Sequence, residues 1–354
     1  MDGRKSLVDL FKPGDLALFR IKKVDAAKKQ LSVELDQRTE VQGALVAIDV
    51  TNGEVKAMVG GYDFEMNKFN RATQAYRQTG SAFKPFIYTM AIDQGMSPTD
   101  TILDSPISFP SGQGVWAPQN YDHKFEGVIT LRRALAQSRN IPAVKLLSKF
   151  GVEKGIEYVK KFGVTSPNLS PYLPLALGSA EITLLEMTSA YSAFPNDGVR
   201  ILPRFIRRVT DYSGETKEEN LIDVSEVISQ KTAETMLGLL QGVVDFGTAQ
   251  KAKILGRPVA GKTGTTNNYT DAWFIGFTPS LTCGVWVGYD QKKPLGKGET
   301  GAKAALPLWI DFMQQVLKDK PREDFKTLEE GRPIVPQPVD TIDQAEGDGE
   351  TAPE

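Results

Sequence analysis

Three short segments carry residue types suited to nucleophilic chemistry. In QTGSAFKPFIYTM, Ser81 is followed three residues later by Lys84, and Pro85 opens an apolar run. Residues three apart on a helix share a face, so hydroxyl and amine can meet. Proline is tolerated only near a helix start, which places Ser81 beside free backbone N–H groups able to hold a developing oxyanion. A cation in the first turn opposes the helix dipole, and an ordinary lysine, pKa ~10.4, is protonated at neutral pH. Burial against Phe83 and Phe86, with the positive helix end, would lower that value and make Lys84 a base. Taken alone, the pair is a weak signal and reads first as a plain cap and a solvated lysine.

Lys262-Thr263-Gly264 sits in the β-rich run VAGKTGTT. A phosphate-binding loop is excluded, since the glycine pattern before the lysine is absent and a strand, not a helix, follows. A lysine and hydroxyls on a strand facing a cleft suit a carboxylate, and Gly264 would admit a substrate backbone. Ser138-Arg139-Asn140 lies between two helical stretches, where serine and asparagine also serve as caps. Ser166-Pro167-Asn168 has the same spacing but lies in a surface-turn sequence. The first triplet is preferred because it follows an amphipathic helix.

Two scarcities narrow the chemistry. Cys283 and His123 are the only cysteine and histidine, which excludes internal disulfides and cysteine- or histidine-rich metal sites. A Ser–His–Asp triad would need His123, which reads as a surface-loop residue, so the base is sought among lysines. Cys283, Trp273, Phe274 and Trp286 read as sheet core, while Trp116 and Tyr121 either line a cleft or pack on the surface. The 42 basic and 44 acidic residues nearly cancel, at formal charge −2, which speaks against a polyanion-binding surface.

The elements that must position these segments follow from pattern. QGALVAIDV, a TNG turn and EVKAMVGGY predict a β-hairpin. Helices are expected after Ser81, across 129–163 (Thr130 capping one, Gly151 ending another), over 182–194 and over 224–245. The stretch SPISFPSGQGVWAPQNYD reads as irregular surface. RPVAGKTGTT, DAWFIGFTP and LTCGVWVGYD predict a meander, followed by the helix LPLWIDFMQQVLKD. The fold class expected is α+β: hairpin and meander join in one antiparallel five-stranded sheet with flanking helices, and the central helices form a second lobe. A cleft between sheet and lobe would house the site.

The set S-x-x-K, S-x-N, K-T-G in that order is a signature of serine β-lactamases and penicillin-binding proteins. RQTGSAFKPFIY, KFEGVITLRRALAQSRNIPAV, LALGSAEITLLEMTSAYSAFPNDG and GKTGTTNNYTDAWFIGFTP resemble the transpeptidase domain of bifunctional (class A) penicillin-binding proteins. The resemblance covers roughly residues 41–318. Residues 1–40 are similar to the end of a small β (OB-like) module, and 319–354 read as a proline-rich, acidic, disordered tail. The family's glycosyltransferase domain and membrane anchor are missing from the resemblance, and no targeting signal opens the chain. The resemblance therefore implies the periplasmic face of the envelope for a full-length relative, with membrane contact only through the missing N-terminal region.

What the resemblance implies for the site is specific. Ser81 would be the acylated nucleophile and Lys84 its proton acceptor. Ser138 would relay a proton to the leaving amine, and Asn140 would hold Lys84 or the substrate amide. Lys262 and Thr263 would support the site electrostatically, while Thr265, with Gly264 and Thr266 beside it, binds the substrate. The oxyanion hole would be the N–H groups of Ser81 and Thr265. The expected activity is a D,D-transpeptidase acting on D-Ala-D-Ala stem peptides and acylated by β-lactams, with no cofactor. A D,D-carboxypeptidase, a β-lactamase and a penicillin-binding sensor are the alternatives, and the class A β-lactamase E-x-x-L-N segment is absent. Cell-envelope regulators are further expected partners. Nucleic acid is not, since the N-terminal module lacks an aromatic stacking platform.

Overall fold

The computed structural model describes residues 11–36, 39–112 and 114–326. The disordered-tail expectation for 327–354, and the first ten residues of the expected N-terminal module, fall outside these. Within that module, Leu18–Asp25 and Gln30–Asp36 pair as an antiparallel hairpin.

The alternating runs at residues 41–59 fold as β1 (Val41–Asp49) and β2 (Val55–Val59). Asp49 Oδ1 accepts from Thr51 N at 2.9 Å in the turn between them, and Gly53 takes φ +72° there. The apolar run after Ser81 becomes α1 (Lys84–Asp93). It is apolar on every side, so it is a central helix, buried from Lys84 to Ile92. Around it lie α2 (Leu131–Ala136), α3 (Asn140–Phe150), α4 (Val152–Lys161) and, later in the chain, α6 (Gln230–Asp245). Thr130 caps α2 by accepting from Arg133 N, and Gly151, at φ +97°, separates α3 from α4. α5 (Leu184–Tyr191) opens on a capping box between Thr183 and Glu186. The meander then forms β3 (Ala260–Thr265), β4 (Asp271–Phe277) and β5 (Leu281–Tyr289), and α7 (Leu306–Leu317) closes the domain.

The sheet runs β3-β4-β5-β1-β2, antiparallel throughout. Its central members are buried on both faces. Leu184 and Thr188 of α5 lie against Gly284, whereas Trp309 of α7 meets Phe274 and Gly276. Alternation along the strands puts these contacts on opposite faces, so the sheet is sandwiched.

Three expectations are corrected. Val224–Glu226 is not helical but pairs with Val199–Ile201, and α6 starts only after Ser229, which accepts from Thr232 N. The stretch read as irregular holds the Phe109–Ser111/Gly114–Trp116 ladder, with the Phe109 and Trp116 rings tilted against each other at 5.9 Å. The chain past Leu317 stays on the domain at first: Arg257 donates to Pro321 O at 2.6 Å, and Phe325 packs edge-on to Phe277 at 6.0 Å.

Candidate active site

Ser81 lies in a 3-10 turn, Gly80–Phe83, immediately before α1, rather than capping the α-helix itself. The turn is fixed from several sides. Arg77 donates to Asp271 Oδ1 at 2.6 Å, Trp286 Nε1 donates to the same oxygen at 2.9 Å, and the guanidinium lies 5.0 Å over the Trp286 ring. Gln78 pairs with Glu181, and its carbonyl accepts from Trp273 Nε1 at 2.9 Å. Gly80 N donates to Gly178 O at 3.1 Å, and the Tyr191 hydroxyl donates to Ala82 O at 2.6 Å. The LALGSAEI segment is thus a backbone mould for the nucleophile turn.

On the other side stands β3, the free edge of the sheet. Thr266 N donates to Asp271 O at 3.2 Å, so by alternation the N–H of Thr265 points off that edge. It points at the Ser81 turn: a Cβ built on Gly80 would lie 3.0 Å from Thr265 N. Gly264 was expected to admit a substrate backbone. Instead it admits the turn, since a Cβ there would lie 2.6 Å from Thr79 O and 2.9 Å from Ala82 Cβ.

Lys84 and Lys262 are both fully buried, and Ser138 Oγ sits between their amines. Lys84 Nζ lies 2.6 Å from Ser138 O, 2.7 Å from Asn140 Oδ1 and 3.3 Å from Ser138 Oγ. Lys262 Nζ is 2.8 Å from Ser138 Oγ and 3.0 Å from Thr263 O. Burial pushes the Lys84 pKa well below the ordinary lysine range, and the charges of Lys262 and Arg139 push it the same way. The sequence pointed to burial but not to these two cations. The expected Ser81–Lys84 hydrogen bond is not made; the half-buried Ser81 hydroxyl has no partner among the described residues.

Ser138 itself takes φ +55°, a strained conformation for a serine, at the turn between α2 and α3. The middle residue of its triplet, which sequence reasoning passed over, holds that turn. Arg139 donates to Asp104 Oδ2 and Asp122 Oδ2, both at 2.9 Å, and to the Lys124 carbonyl. Asp104 is fully buried, so this is a buried charge pair whose rupture would leave a carboxylate uncompensated.

The threonines divide. Thr265 is half-buried and its hydroxyl accepts from Gly301 N at 3.0 Å, leaving its proton free to donate. Thr263 shares a hydrogen bond with Thr248 at 2.7 Å, tying β3 to the end of α6. Thr266 is not part of the cluster: its hydroxyl accepts from Thr270 N and Asp271 N, both at 3.1 Å, and closes the β3–β4 turn. Tyr121, 62% exposed, hydrogen-bonds Tyr269 of that same turn, hydroxyl to hydroxyl at 2.9 Å. His123 is an exposed loop residue, and the Ser166 triplet forms a local turn, with Asn168 N donating to Ser166 Oγ.

Burial holds the Lys262 amine at about 7, against an ordinary 10.5. Between those values the unfolded chain binds the extra proton, so stability rises with pH across that window and falls as pH drops through 7. Lys262→Met is therefore expected to flatten the rise in unfolding free energy between pH 7 and 9, by on the order of 1 kcal/mol per pH unit. Urea titrations at several pH values check this; parallel profiles for parent and variant would contradict it.

A sandwiched antiparallel sheet beside a helical lobe, with a serine turn pressed against its edge strand, defines the β-lactamase/transpeptidase fold. The chain belongs to the penicillin binding protein transpeptidase domain family, whose model matches residues 43–308. It is similar to Penicillin-binding protein 1A of Aquifex aeolicus, with 47% identity over 305 residues, covering 86% of this chain and 42% of that protein. Among solved structures it resembles Penicillin-Binding Protein 1A from Haemophilus influenzae (TM-score 0.80, 32% identity, 86% of this chain and 51% of that one). PonA1 from Mycobacterium tuberculosis in complex with penicillin V gives TM-score 0.71 at 26% identity, covering 85% of each chain. The chain spans less than half the length of curated relatives such as the Aquifex protein.

Proposed function

We propose that this chain is a peptidoglycan D,D-transpeptidase domain that cross-links D-Ala-D-Ala stem peptides through an acyl-enzyme on Ser81. The observation that carries the reading is the coordination of Lys84. A neutral amine has two N–H donors and one lone pair. Here the two short contacts, to Ser138 O and Asn140 Oδ1, take both donors and leave the lone pair for a hydroxyl proton.

In the first step Ser81 Oγ attacks the carbonyl carbon between the two D-alanines while Lys84 takes its proton. The oxyanion is received by the N–H groups of Ser81 and Thr265; losing one such donor typically costs ~10²–10³ in rate. The C–N bond then breaks, and Lys84 returns its proton through Ser138 Oγ to the leaving D-alanine amine. Lys262, hydrogen-bonded to Ser138 Oγ, steadies that hydroxyl as the proton passes. The Thr265 hydroxyl and the Lys262 field favour the substrate's terminal carboxylate. An acceptor amine from a second stem peptide then attacks the ester carbon; its proton passes by way of Lys84 to Ser81 Oγ as the C–O bond breaks, which frees Ser81. In a β-lactam the leaving nitrogen stays tethered to the acyl group, so the ester persists.

The PonA1 complex with penicillin V and the names of the similar relatives support this chemistry. We further propose that residues 41–318 are the catalytic unit, that 1–40 end a separate β module, and that the domain works at the periplasmic face of the envelope. Peptide mapping after exposure to a fluorescent penicillin tests the reading. A long-lived adduct on the peptide containing Ser81 is expected, together with cross-linked dimers from stem peptides. A label on another residue overturns the assignment of the nucleophile. Rapid turnover of the label indicates a β-lactamase, and stable labelling without dimers a sensor.

A further inference from the structure

Asn140 presents its amide oxygen to Lys84, and the residues that make it do so belong to none of the three signatures. Asn120 is 2% exposed and uses its whole hydrogen-bonding capacity. Its Oδ1 accepts from Asn140 N at 2.8 Å and Ile141 N at 3.3 Å. Its Nδ2 donates to Asp104 Oδ1 at 2.8 Å and to Lys124 O at 2.9 Å. The first N–H groups of α3 are thus capped from a distant loop, since Arg139 at the N-cap position offers no side-chain cap. The preceding carbonyl, Gln119 O, accepts from Asn140 Nδ2 at 2.7 Å. Only the NH₂ end of an amide can donate to a carbonyl, so this contact fixes which way Asn140 faces. A flipped amide would set two oxygens against each other at Gln119.

We infer that Asn120 is a positioning residue for acylation: it holds the Asn140 backbone and, through the adjoining Gln119 carbonyl, turns the Asn140 oxygen toward Lys84. The inference rests on the function proposed above. It goes beyond capping, because a cap alone would affect stability and leave the chemical step untouched. Asn120 anchors its loop to the fully buried Asp104, the carboxylate that also binds Arg139. One buried acid therefore references both ends of the Lys84 cradle, and a small shift at Asn120 displaces an acceptor of the base.

The test separates binding from chemistry and looks for non-additivity with Asn140. With benzylpenicillin as the probe, Asn120→Ala is expected to lower the limiting acylation rate by about 10²-fold. The concentration giving half that rate should change by less than about twofold, within the scatter of independent sites. Adding Asn120→Ala to Asn140→Ala should cost no more than about twofold further. Sites are counted by titration with fluorescent penicillin, so that only folded enzyme enters the rates. If the alanine variant yields too few sites, Asn120→Ser is expected to show the same pattern. An Asn120 variant that acylates at the parental rate overturns the inference, as does a loss undiminished in the Asn140→Ala background. A parent that takes no penicillin overturns the functional reading and this inference with it, whereas a reactive parent with an indifferent variant overturns this inference alone.

Discussion

Lys84→Met is expected to slow acylation of Ser81 by about 10³-fold while leaving the domain folded. A positioned general base contributes typically 10²–10⁴ in rate, and no histidine or carboxylate neighbours Lys84 in the cluster to replace it. Methionine nearly matches the length of the buried lysine side chain, so the space that Lys84 fills stays occupied. The change strands the acceptors Ser138 O and Asn140 Oδ1, but it also removes an amine that the fold keeps fully buried. The two effects oppose each other, and the unfolding midpoint should move little. The pH profile adds a second readout. Because burial and neighbouring cations lower the Lys84 pKa, the parent should reach its plateau well below pH 10. In the variant that rise should vanish. Rates of labelling by a fluorescent penicillin, followed from acid to alkaline pH, measure both. A variant within tenfold (~1.4 kcal/mol) of the parent would exclude Lys84 as the base.

Gly80→Ala is expected to disable the site by geometry alone. Gly80 takes φ +52°, and a Cβ would lie 2.7 Å from the Thr265 carbonyl carbon and 3.0 Å from its nitrogen, with the carbonyl oxygen closer still. Neither side can yield cheaply, because β3 is held in the sheet and the turn is held by Gly178, Tyr191 and Trp273. The strained backbone costs about 1–3 kcal/mol and the overpacking a similar amount. The larger consequence is separation of the Ser81 and Thr265 N–H groups, and misplacement by about 1 Å can cost ~10² in rate. Gly95→Ala is the control. Gly95 has φ +92° but nothing within 4 Å of the added carbon, so it should lose stability and keep its acylation rate. Equal labelling rates for Gly80→Ala and the parent would show that the turn does not set the oxyanion site.

The contrast between these glycines indicates what the sequence could reveal. Periodicity and turn residues made the hairpin, the meander, α1 and α7 legible, because each is specified by its own residues. The motif residues were legible as chemistry, since a serine and lysine three apart ahead of a proline have few ordinary reasons to occur with K-T-G. What escaped were the contacts across long sequence separations that lie outside the motifs and the sheet. Arg139 finds Asp104, Asn120 finds Asn140, and Gly178 receives Gly80, and none of these pairs leaves a local pattern. Gly264 was credited to the substrate because nothing local says that the nucleophile turn occupies that space. Thr266 was grouped with Thr265 by adjacency, but it lies at the turn, where its hydroxyl has backbone partners. The helix assigned over 224–245 began too early because three strand residues ahead of Ser229 have no distinctive period.

The strand order has a consequence during synthesis. β5, made late, inserts between β1 and β4, and it is the only strand that joins the early hairpin to the rest of the sheet. A chain still on the ribosome cannot close that sheet until residues near 289 have emerged, although its helical lobe is complete in sequence once α6 ends at Asp245 and is free to fold earlier. The serine turn then waits for Asp271 and Thr265 to arrive. Nascent chains should therefore be blind to antibiotic until the last strand is released, and a stalled or clipped product would expose apolar strand faces to quality control instead of taking the drug.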